Sequence, residues 1–205
     1  MQISPFRNQD ERKADREEKR EAVLRAAVRM FNARGFHATS LDDVAASLGI
    51  SKPTIYHYLG NKDQVLLECV TRGVAQMSEA AAEARAQPGN GLDRLRSFLV
   101  RYSGITMDDF GRCVIRTAEE ALTTASATRF RALKREIDRA MRGLLTEGMK
   151  DGSIALLDVK IAAFTLAGAL NWPARWHRAD GELSPESLAE QMVDLLLLGM
   201  APRSA

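Results

Sequence analysis

The sequence TSLDDVAASLGISKPTIYHYLGNK, residues 39–62, predicts two short helices joined by a tight turn, and this pair organises the rest of the chain. Ser40 is a good N-cap residue, and Asp43 stands where it completes a capping box. The apolar residues that follow at helical spacing are Leu41, Val44, Ala45 and Leu48. We therefore predict a first helix of about two turns that buries one face.

The second helix of the pair follows a glycine turn. Gly49 suits a left-handed turn because it has no Cβ atom, and we expect Ile50 to reach the core. Ser51 is placed to cap the second helix, and Pro53 lies in its first turn, where a missing N–H costs nothing. We expect Ile55 and Leu59 to face inward and Lys52, Thr54, Tyr56 and His57 to face outward. This pattern is typical of helix-turn-helix DNA binding, and an ordinary helical hairpin is the alternative.

Residues 51–66, SKPTIYHYLGNKDQVL, resemble the recognition-helix segment of TetR/AcrR-type regulators, whose usual form is SKGTLYYYFPSKEDLL. Residues 33–50, ARGFHATSLDDVAASLGI, are similar to the segment that precedes it in that family. Pro53, Leu59 and Gly60 depart from the usual Gly, Phe and Pro. Asp42 stands where some relatives place a base-contacting Arg, so we assign it no base contact. The DNA-binding residues that we predict are Ser40, Ser51, Lys52, Pro53, Thr54, Tyr56, His57 and Lys62.

The segments on either side of this pair complete the predicted DNA-binding domain, residues 10–62. A mixed-charge helix is expected from about Asp10 to Arg34, with Phe36 packing back on it. Its apolar stripe is Leu24, Ala27, Val28 and Phe31, and its basic residues Arg12, Lys13, Arg16 and Arg20 are either DNA-backbone contacts or a solvated face. Asn61 is placed to cap a long helix that runs through about Ala86 and links this domain to the rest.

The remainder of the chain, residues 63–205, predicts a second domain made of helices alone. The break QPGNG, residues 87–91, ends the linking helix. Further helices are expected at about residues 92–106, 108–122, 127–150, 159–179 and 184–200. We find no convincing strand. The predicted fold is all-α, with an N-terminal three-helix helix-turn-helix domain and a C-terminal helical ligand-binding and dimerisation domain.

The last two predicted helices carry more apolar surface than one small domain needs. Gly168 and Ala169 would also let helices approach closely. The apolar residues are Ile161, Phe164, Leu166, Ala167, Ala169, Leu170, Leu188, Met192, Leu195, Leu196 and Leu198. Helix-turn-helix readers normally pair across two half-sites, and the family resemblance implies a four-helix dimer interface here. A buried core helix pair is the alternative, and we predict a homodimer.

The segment ALNWPARWHRADGELSPE, residues 169–186, contains both tryptophans of the chain, Trp172 and Trp176. Pro173 between them is expected to bend the helix or free a carbonyl. The segment resembles an NWxxxWY ending found in one branch of the TetR family, with His177 in place of the usual Tyr. Members of that branch respond to acyl-CoA thioesters, so the resemblance implies an apolar effector of that kind.

An acyl-CoA thioester needs apolar side chains around its acyl group and cations near its phosphates. Candidate ligand-binding residues are Phe98, Tyr102, Met107, Arg116, Asn171, Trp172, Arg175 and Trp176. The alternative is that the apolar members belong to the core and the arginines to the surface. A regulator that responds to another small hydrophobic compound is equally consistent with this set.

Composition and motifs argue against other classes of function. The formal net charge is only +2 over 205 residues, so bulk charge gives only weak support for a nucleic-acid partner. Cys69 and Cys113 are far apart and no ligand spacing surrounds them, so we predict no metal site and no cofactor. The three histidines lie in separate segments, and no motif places a nucleophile beside a general base. We therefore predict no catalytic residues and no enzyme.

The N-terminal segment is charged, and no apolar run is long enough to span a bilayer, so we expect a cytoplasmic protein without membrane contact. The interpretation is a dimeric repressor that binds a palindromic operator and is released by an effector. A helical adaptor that binds protein partners and has lost DNA binding is the alternative, and the intact set of Lys52, Thr54, Tyr56, His57 and Lys62 argues against it.

Overall fold

The computed structural model describes residues 9–178 and 180–198, and within them the regular structure is entirely helical, as predicted. The contacts divide the chain into two units, of which the first ends at Glu68 and the second begins at Cys69. In chain order the helices are α1 Gln9–Arg34, α2 Leu41–Ser47, α3 Lys52–Leu59, α4 Lys62–Ala86, α5 Gly91–Met107, α6 Asp109–Arg116, α7 Thr124–Lys150, α8 Val159–Asn171, α9 Pro173–Trp176 and α10 Pro185–Leu198.

In the N-terminal unit, α1, α2 and α3 pack against one another around a small apolar core. Phe36 packs edge-on against Phe31, with ring centroids 5.3 Å apart. Leu48 was expected inside but is exposed, because α2 ends at Ser47 and the chain turns away there. The residues confirmed in the core are Leu24, Ala27, Val28, Phe31, Leu41, Val44, Ala45, Ile55 and Leu59, with Ile50 half-buried.

The helix ends of this unit follow the caps predicted from sequence. Ser40 and Asp43 form the capping box at the start of α2, and the Ser51 side chain caps α3. Between the two helices Gly49 adopts a φ of 64°, a conformation that a side chain would disfavour. These local interactions fix the turn that presents α3.

The start of α4 is held to the N-terminal unit by two sets of contacts. Asn61 caps α4, and its side chain and that of Gln64 bond each other's backbone N–H groups. Arg20 pairs in a bidentate manner with Glu68, with Nη1 2.7 Å from Oε1. Arg20 is therefore ion-paired within this unit, and its role as a DNA-backbone contact stays a prediction. The domain boundary expected at residue 62 stays a prediction.

In the C-terminal unit, α5 is the central helix and packs against each of α6, α7, α8, α9 and α10. Its first turn meets the end of α7 at Gly91 and Gly148, where a Cβ atom on Gly91 would lie 2.2 Å from the Gly148 Cα. Asp151 accepts the Gly91 N–H at 2.6 Å, and Ser153 accepts the Leu92 N–H at 3.0 Å. The chain after α7 thus caps α5.

Two helix bounds in this unit differ from the prediction. The helix expected over 108–122 ends at Arg116, because Thr117 and Ala118 are extended and only a short 3-10 helix, Glu119–Ala121, follows. Glu119 is held by Lys134 of α7 at 2.6 Å. Helix α7 begins earlier than expected because Thr123 caps it.

The helix expected over 159–179 is broken at Trp172. Pro173 has no N–H to continue the ladder, and the Trp172 N–H bonds the Ala169 carbonyl instead. The Leu170 carbonyl accepts the Thr106 hydroxyl at 3.0 Å. The chain before residue 9, Ala179 and the expected helix end at Met200 lie outside the described residues. No helix in the described part has the length and apolar character needed to cross a bilayer.

Candidate functional site

The outer face of α3 presents the polar side chains that the sequence assigned to DNA. Lys52, Tyr56 and His57 are exposed, and Tyr56 shows half of its surface to solvent. Thr54 is half-buried, and its hydroxyl lies 2.7 Å from that of Ser51 in the helix cap. Pro53 occupies the second position of α3 and is exposed. The helix therefore offers a surface of hydrogen-bonding side chains over a buried apolar face.

Lys52 forms an ion pair on this surface. Its Nζ lies 2.5 Å from Oδ2 of Asp42, and this carboxylate raises the pKa of Lys52. The other Asp42 oxygen is buried without a hydrogen-bond partner among the described residues. The sequence analysis assigned no base contact to Asp42. In the structure its carboxylate is the partner of Lys52, which is a predicted DNA contact.

A second group of predicted DNA-binding residues meets at one open cleft of about 440 Å³ in the N-terminal unit. Ser40, Tyr56 and Lys62 line it together with His37 and Asn61, which were not among the predicted site residues. Lys62 lies 4.2 Å from the centre of the Phe36 ring, and burial lowers its pKa. Asp43 lines the cleft as well, and its carboxylate accepts from the Ser40 hydroxyl at 2.7 Å. The imidazole and ammonium groups on the other side are suited to an anion the size of a phosphate.

The C-terminal unit contains a cavity of about 380 Å³ between α4, α5, α6, α7 and α8. Most of its wall is apolar. One wall residue, Met77, belongs to α4, the helix that begins at Lys62. The complete wall is Met77, Tyr102, Val114, Ile115, Thr117, Lys134, Ile137, Asp138, Met141, Ala163, Phe164, Ala167 and Asn171. A cavity of this size and lining is suited to a small ligand with a large apolar part.

Tyr102 and Asn171, both predicted ligand-binding residues, form a hydrogen bond in this wall. The Tyr102 hydroxyl donates to Asn171 Oδ1 at 2.6 Å. Burial raises the pKa of Tyr102 to about 12, so the hydroxyl keeps its proton at neutral pH. In the part of the chain that the structure describes, the Asn171 amide nitrogen has no acceptor within hydrogen-bond distance.

The charged side chains of the wall have partners of their own. Lys134 Nζ lies 2.6 Å from a Glu119 oxygen and 4.6 Å from the centre of the Phe130 ring. Arg142 Nε lies 2.8 Å from an Asp138 oxygen. The wall therefore carries two neutralised charges and one amide with free donors.

The other predicted ligand-binding residues lie away from this cavity. Phe98 is fully buried in the core, and Met107 packs with Leu188 and Ala189 of α10. The four that are exposed outside the cavity are Arg116, Trp172, Arg175 and Trp176. The sequence reasoning missed Met77, Met141 and Ala163. The helical spacing of Ile137 with Met141, and of Ala163 with Ala167, was a signal, but one sequence does not say which helices face each other.

An exposed apolar stripe runs along α8, formed by Ile161, Phe164, Gly168 and Trp172 at helical spacing. Ile161 is 65% exposed and Phe164 is 56% exposed. Leu195 of α10 is 73% exposed. Leu166, Leu170 and Leu188 are instead buried within the chain, and the Leu198 side chain lies outside the described set. The stripe and Leu195 are the part of the predicted interface available to a second chain.

The cysteines and histidines are not grouped into a metal site in the described part of the chain. Cys69 and Cys113 are far apart in the sequence, but both are buried free thiols, and a hydrogen bond from Cys69 lowers the pKa of Cys113. His177 is buried, with Nε2 3.1 Å from the Leu183 carbonyl oxygen. Among the described residues no group of three His, Cys, Asp or Glu side chains could hold a metal ion.

Comparison with known proteins covers both units. The family model for bacterial regulatory proteins of the tetR family matches residues 23–69. The model for the tetracyclin repressor-like C-terminal domain matches residues 88–200, more than half of the chain.

Individual relatives match over nearly their whole length. The HTH-type transcriptional repressor KstR2 of Rhodococcus jostii (strain RHA1) is 28% identical over 190 residues, which make up 89% of this chain and 91% of that protein. A TetR/AcrR-family regulator from Thermobifida fusca is 31% identical, with a TM-score of 0.66 over 89% of this chain and 98% of that one. AibR in complex with isovaleryl coenzyme A and operator DNA is similar in fold, with a TM-score of 0.74, 24% identity, and coverage of 86% and 96%.

Proposed function

This chain belongs to the TetR family of bacterial regulatory proteins and is a DNA-binding transcriptional regulator, and from that premise we propose a homodimeric repressor that an acyl compound releases from its operator. The acyl group enters the cavity of the C-terminal unit. The observation that carries this proposal is the cavity itself, with its apolar wall and with Met77 of α4 in that wall.

On the DNA side, we assign α3 to the major groove of each operator half-site. Lys52, Thr54, Tyr56 and His57 make phosphate and base contacts, and Ser51 and Pro53 set the start of the helix. Ser40 and Lys62 hold the DNA backbone from the open cleft that they line with Tyr56. His37 joins this group, because its side chain borders the same cleft.

The dimer forms, in this proposal, through the exposed stripe of α8 and through Leu195 of α10. Contiguous apolar surface of this kind is costly in water and is typical of an interface. Gly168 supports a close approach, because no atom lies within 4 Å of where its Cβ would be. A palindromic operator with two half-sites requires this two-fold pairing.

For the effector we propose an acyl-CoA thioester whose acyl group fills the cavity. Relatives support this class: AibR was solved with isovaleryl coenzyme A and operator DNA. The cavity is too small for a whole CoA thioester, so the nucleotide lies outside it. Arg116, Arg175 and Trp176 are exposed and supply cations and an aromatic surface for it. Phe98 and Met107 pack in the core and take no part.

The effector acts through α4. Met77 lines the cavity, and the same helix carries Lys62 in its first turn, directly after the end of α3. A ligand that prefers one position of α4 shifts the population toward dimers whose recognition helices no longer match the half-site spacing.

The test is fluorescence anisotropy of the purified protein on DNA from upstream of its own gene, at fixed salt, because phosphate contacts make affinity depend steeply on salt. Isovaleryl-CoA and octanoyl-CoA are titrated against free CoA. Specific binding relieved by a thioester but not by CoA supports the proposal. Specific binding that neither thioester relieves removes the effector class and leaves a regulator of another hydrophobic compound.

A further inference from the structure

We propose that Asn171 recognises the carbonyl oxygen of the effector's acyl group and that Tyr102 orients it for this role, so that the cavity selects a neutral acyl carbonyl compound over the free carboxylate. This inference rests on the proposed effector cavity and adds the chemical group that the cavity reads.

The hydrogen bond between the two side chains fixes how the amide is turned. Tyr102 donates to Asn171 Oδ1 at 2.6 Å, which uses the acceptor end of the amide. The other end is an NH₂ group with two donors. Among the described residues nothing accepts a hydrogen bond from it, although the residue lines the cavity. The amide therefore presents donors without partners to whatever occupies the cavity.

The remaining polar groups of the wall do not compete for this role. Lys134 is paired with Glu119, and Asp138 is paired with Arg142. The Thr117 hydroxyl oxygen lies 3.7 Å from the Cys113 sulfur, where the two groups form a weak hydrogen bond. The Asn171 amide is the polar group of the described wall whose NH₂ donors have no partner.

This arrangement distinguishes two chemical forms of the same acyl group. A thioester carbonyl is neutral and needs one or two donors, which the Asn171 amide supplies. A carboxylate carries a full charge, and burying it is strongly unfavourable unless a cation is available to pair with it. Lys134, the basic residue of the described wall, already has its counter-ion in Glu119. The cavity therefore favours the activated acyl compound over its hydrolysis product.

The test is isothermal titration calorimetry of the full-length protein with isovaleryl-CoA and with its thioether analogue, in which CH₂ replaces the carbonyl group. We expect the wild type to bind the thioester about tenfold more tightly, the effect of one buried hydrogen bond whose donor would otherwise be left unpaired. Free isovalerate should give no measurable heat.

The matched variant is Asn171→Asp, which keeps the shape and the oxygen that accepts from Tyr102 but replaces the donors by a second oxygen. We expect it to lose the preference for the thioester over the thioether. Thermal melting and operator affinity of the variant check that it is folded, and the wild-type comparison needs no variant at all.

Equal wild-type affinity for thioester and thioether would overturn the role of Asn171 while leaving the effector proposal standing. A variant that is folded and keeps the tenfold preference would overturn it as well. If the wild type bound neither compound, the proposed effector class would fail together with this inference.

Discussion

The Tyr102 hydroxyl donates to Asn171 Oδ1 at 2.6 Å and so joins the middle of α5 to the last residue of α8 in the cavity wall. Trp172, the next residue, is where the α8 ladder is broken before Pro173. The bond thus ties the end of α8 to the central helix of the unit at the point where the helical ladder stops.

Ionisation of the buried Tyr102 hydroxyl should be visible in alkaline unfolding. Burial raises the pKa of Tyr102 from 10.0 to about 12, so its contribution to stability is complete below pH 10 and is lost as the pH rises toward 12. We expect the difference in free energy of unfolding between wild type and Tyr102→Phe to shrink over that interval by on the order of 2–3 kcal/mol.

Urea unfolding of both proteins at a series of alkaline pH values measures this difference. Other groups titrate in the same range, but they are common to wild type and variant and cancel. A difference that stays constant up to the alkaline limit would mean that Tyr102 ionises no less readily in the folded state than in the unfolded chain.

Helix ends could be predicted from the sequence where they are fixed by interactions between residues close together in the chain. The caps at Ser40, Ser51 and Asn61 were readable because each bonds a backbone N–H group three residues away. The break after α8 could also be predicted locally, because Pro173 has no backbone N–H to continue the helix. The end of α6 at Arg116 was not readable, because the chain there is held by Glu119 contacting Lys134 of another helix.

In the candidate sites, too, features within one helix could be predicted from the sequence, and contacts between helices could not. The outward face of α3 follows from helical spacing, but the Asp42–Lys52 pair joins two helices and was missed. Tyr102 and Asn171 were both named as ligand-binding residues without any sign that they touch. Met77 was not named at all, because its role depends on which helices enclose the cavity.

Removing the partner of Lys52 should strengthen DNA binding. Asp42→Asn removes the carboxylate that competes with the phosphate for the Lys52 ammonium. A Lys52 ammonium that the phosphate no longer shares with a carboxylate makes the salt dependence steeper by up to about one unit and tightens binding by up to roughly tenfold at about 0.1 M salt.

Anisotropy titrations at several salt concentrations measure both quantities. Glu182→Gln removes the same charge from an exposed loop of the C-terminal unit and serves as the control. Weaker binding by Asp42→Asn would show that Asp42 positions Lys52 for DNA and does not compete with it.

Tyr56 should carry part of the operator affinity. Its side chain is half exposed on α3 and borders the open cleft, so Tyr56→Ala is expected to weaken operator binding by about 1–3 kcal/mol without unfolding the unit. Tyr56→Phe separates the hydroxyl from the ring. Unchanged affinity in Tyr56→Ala, with the dimer intact by light scattering, would remove Tyr56 from the DNA surface.

The exposed stripe of α8 should control the oligomeric state. Ile161 is 65% exposed in the single chain, so Ile161→Glu costs the isolated fold little but buries a charge if the stripe is an interface. We expect a monomer by light scattering at micromolar concentration. Ala132→Glu places the same charge at an exposed position of α7 outside the stripe and should leave a dimer. A dimeric Ile161→Glu protein would move the interface elsewhere.

The central claim is that filling the cavity of the C-terminal unit releases DNA, and the most direct measurement compares wild type with Ala167→Phe. Ala167 lines the cavity, and a phenylalanine there occupies space that the acyl group needs. Operator anisotropy is recorded while isovaleryl-CoA is titrated into each protein at the same salt concentration. We predict that the thioester releases the wild type and that Ala167→Phe binds the operator but needs at least about tenfold more thioester for release. Release of both proteins at the same thioester concentration would contradict the claim, because the effector would then act from another site.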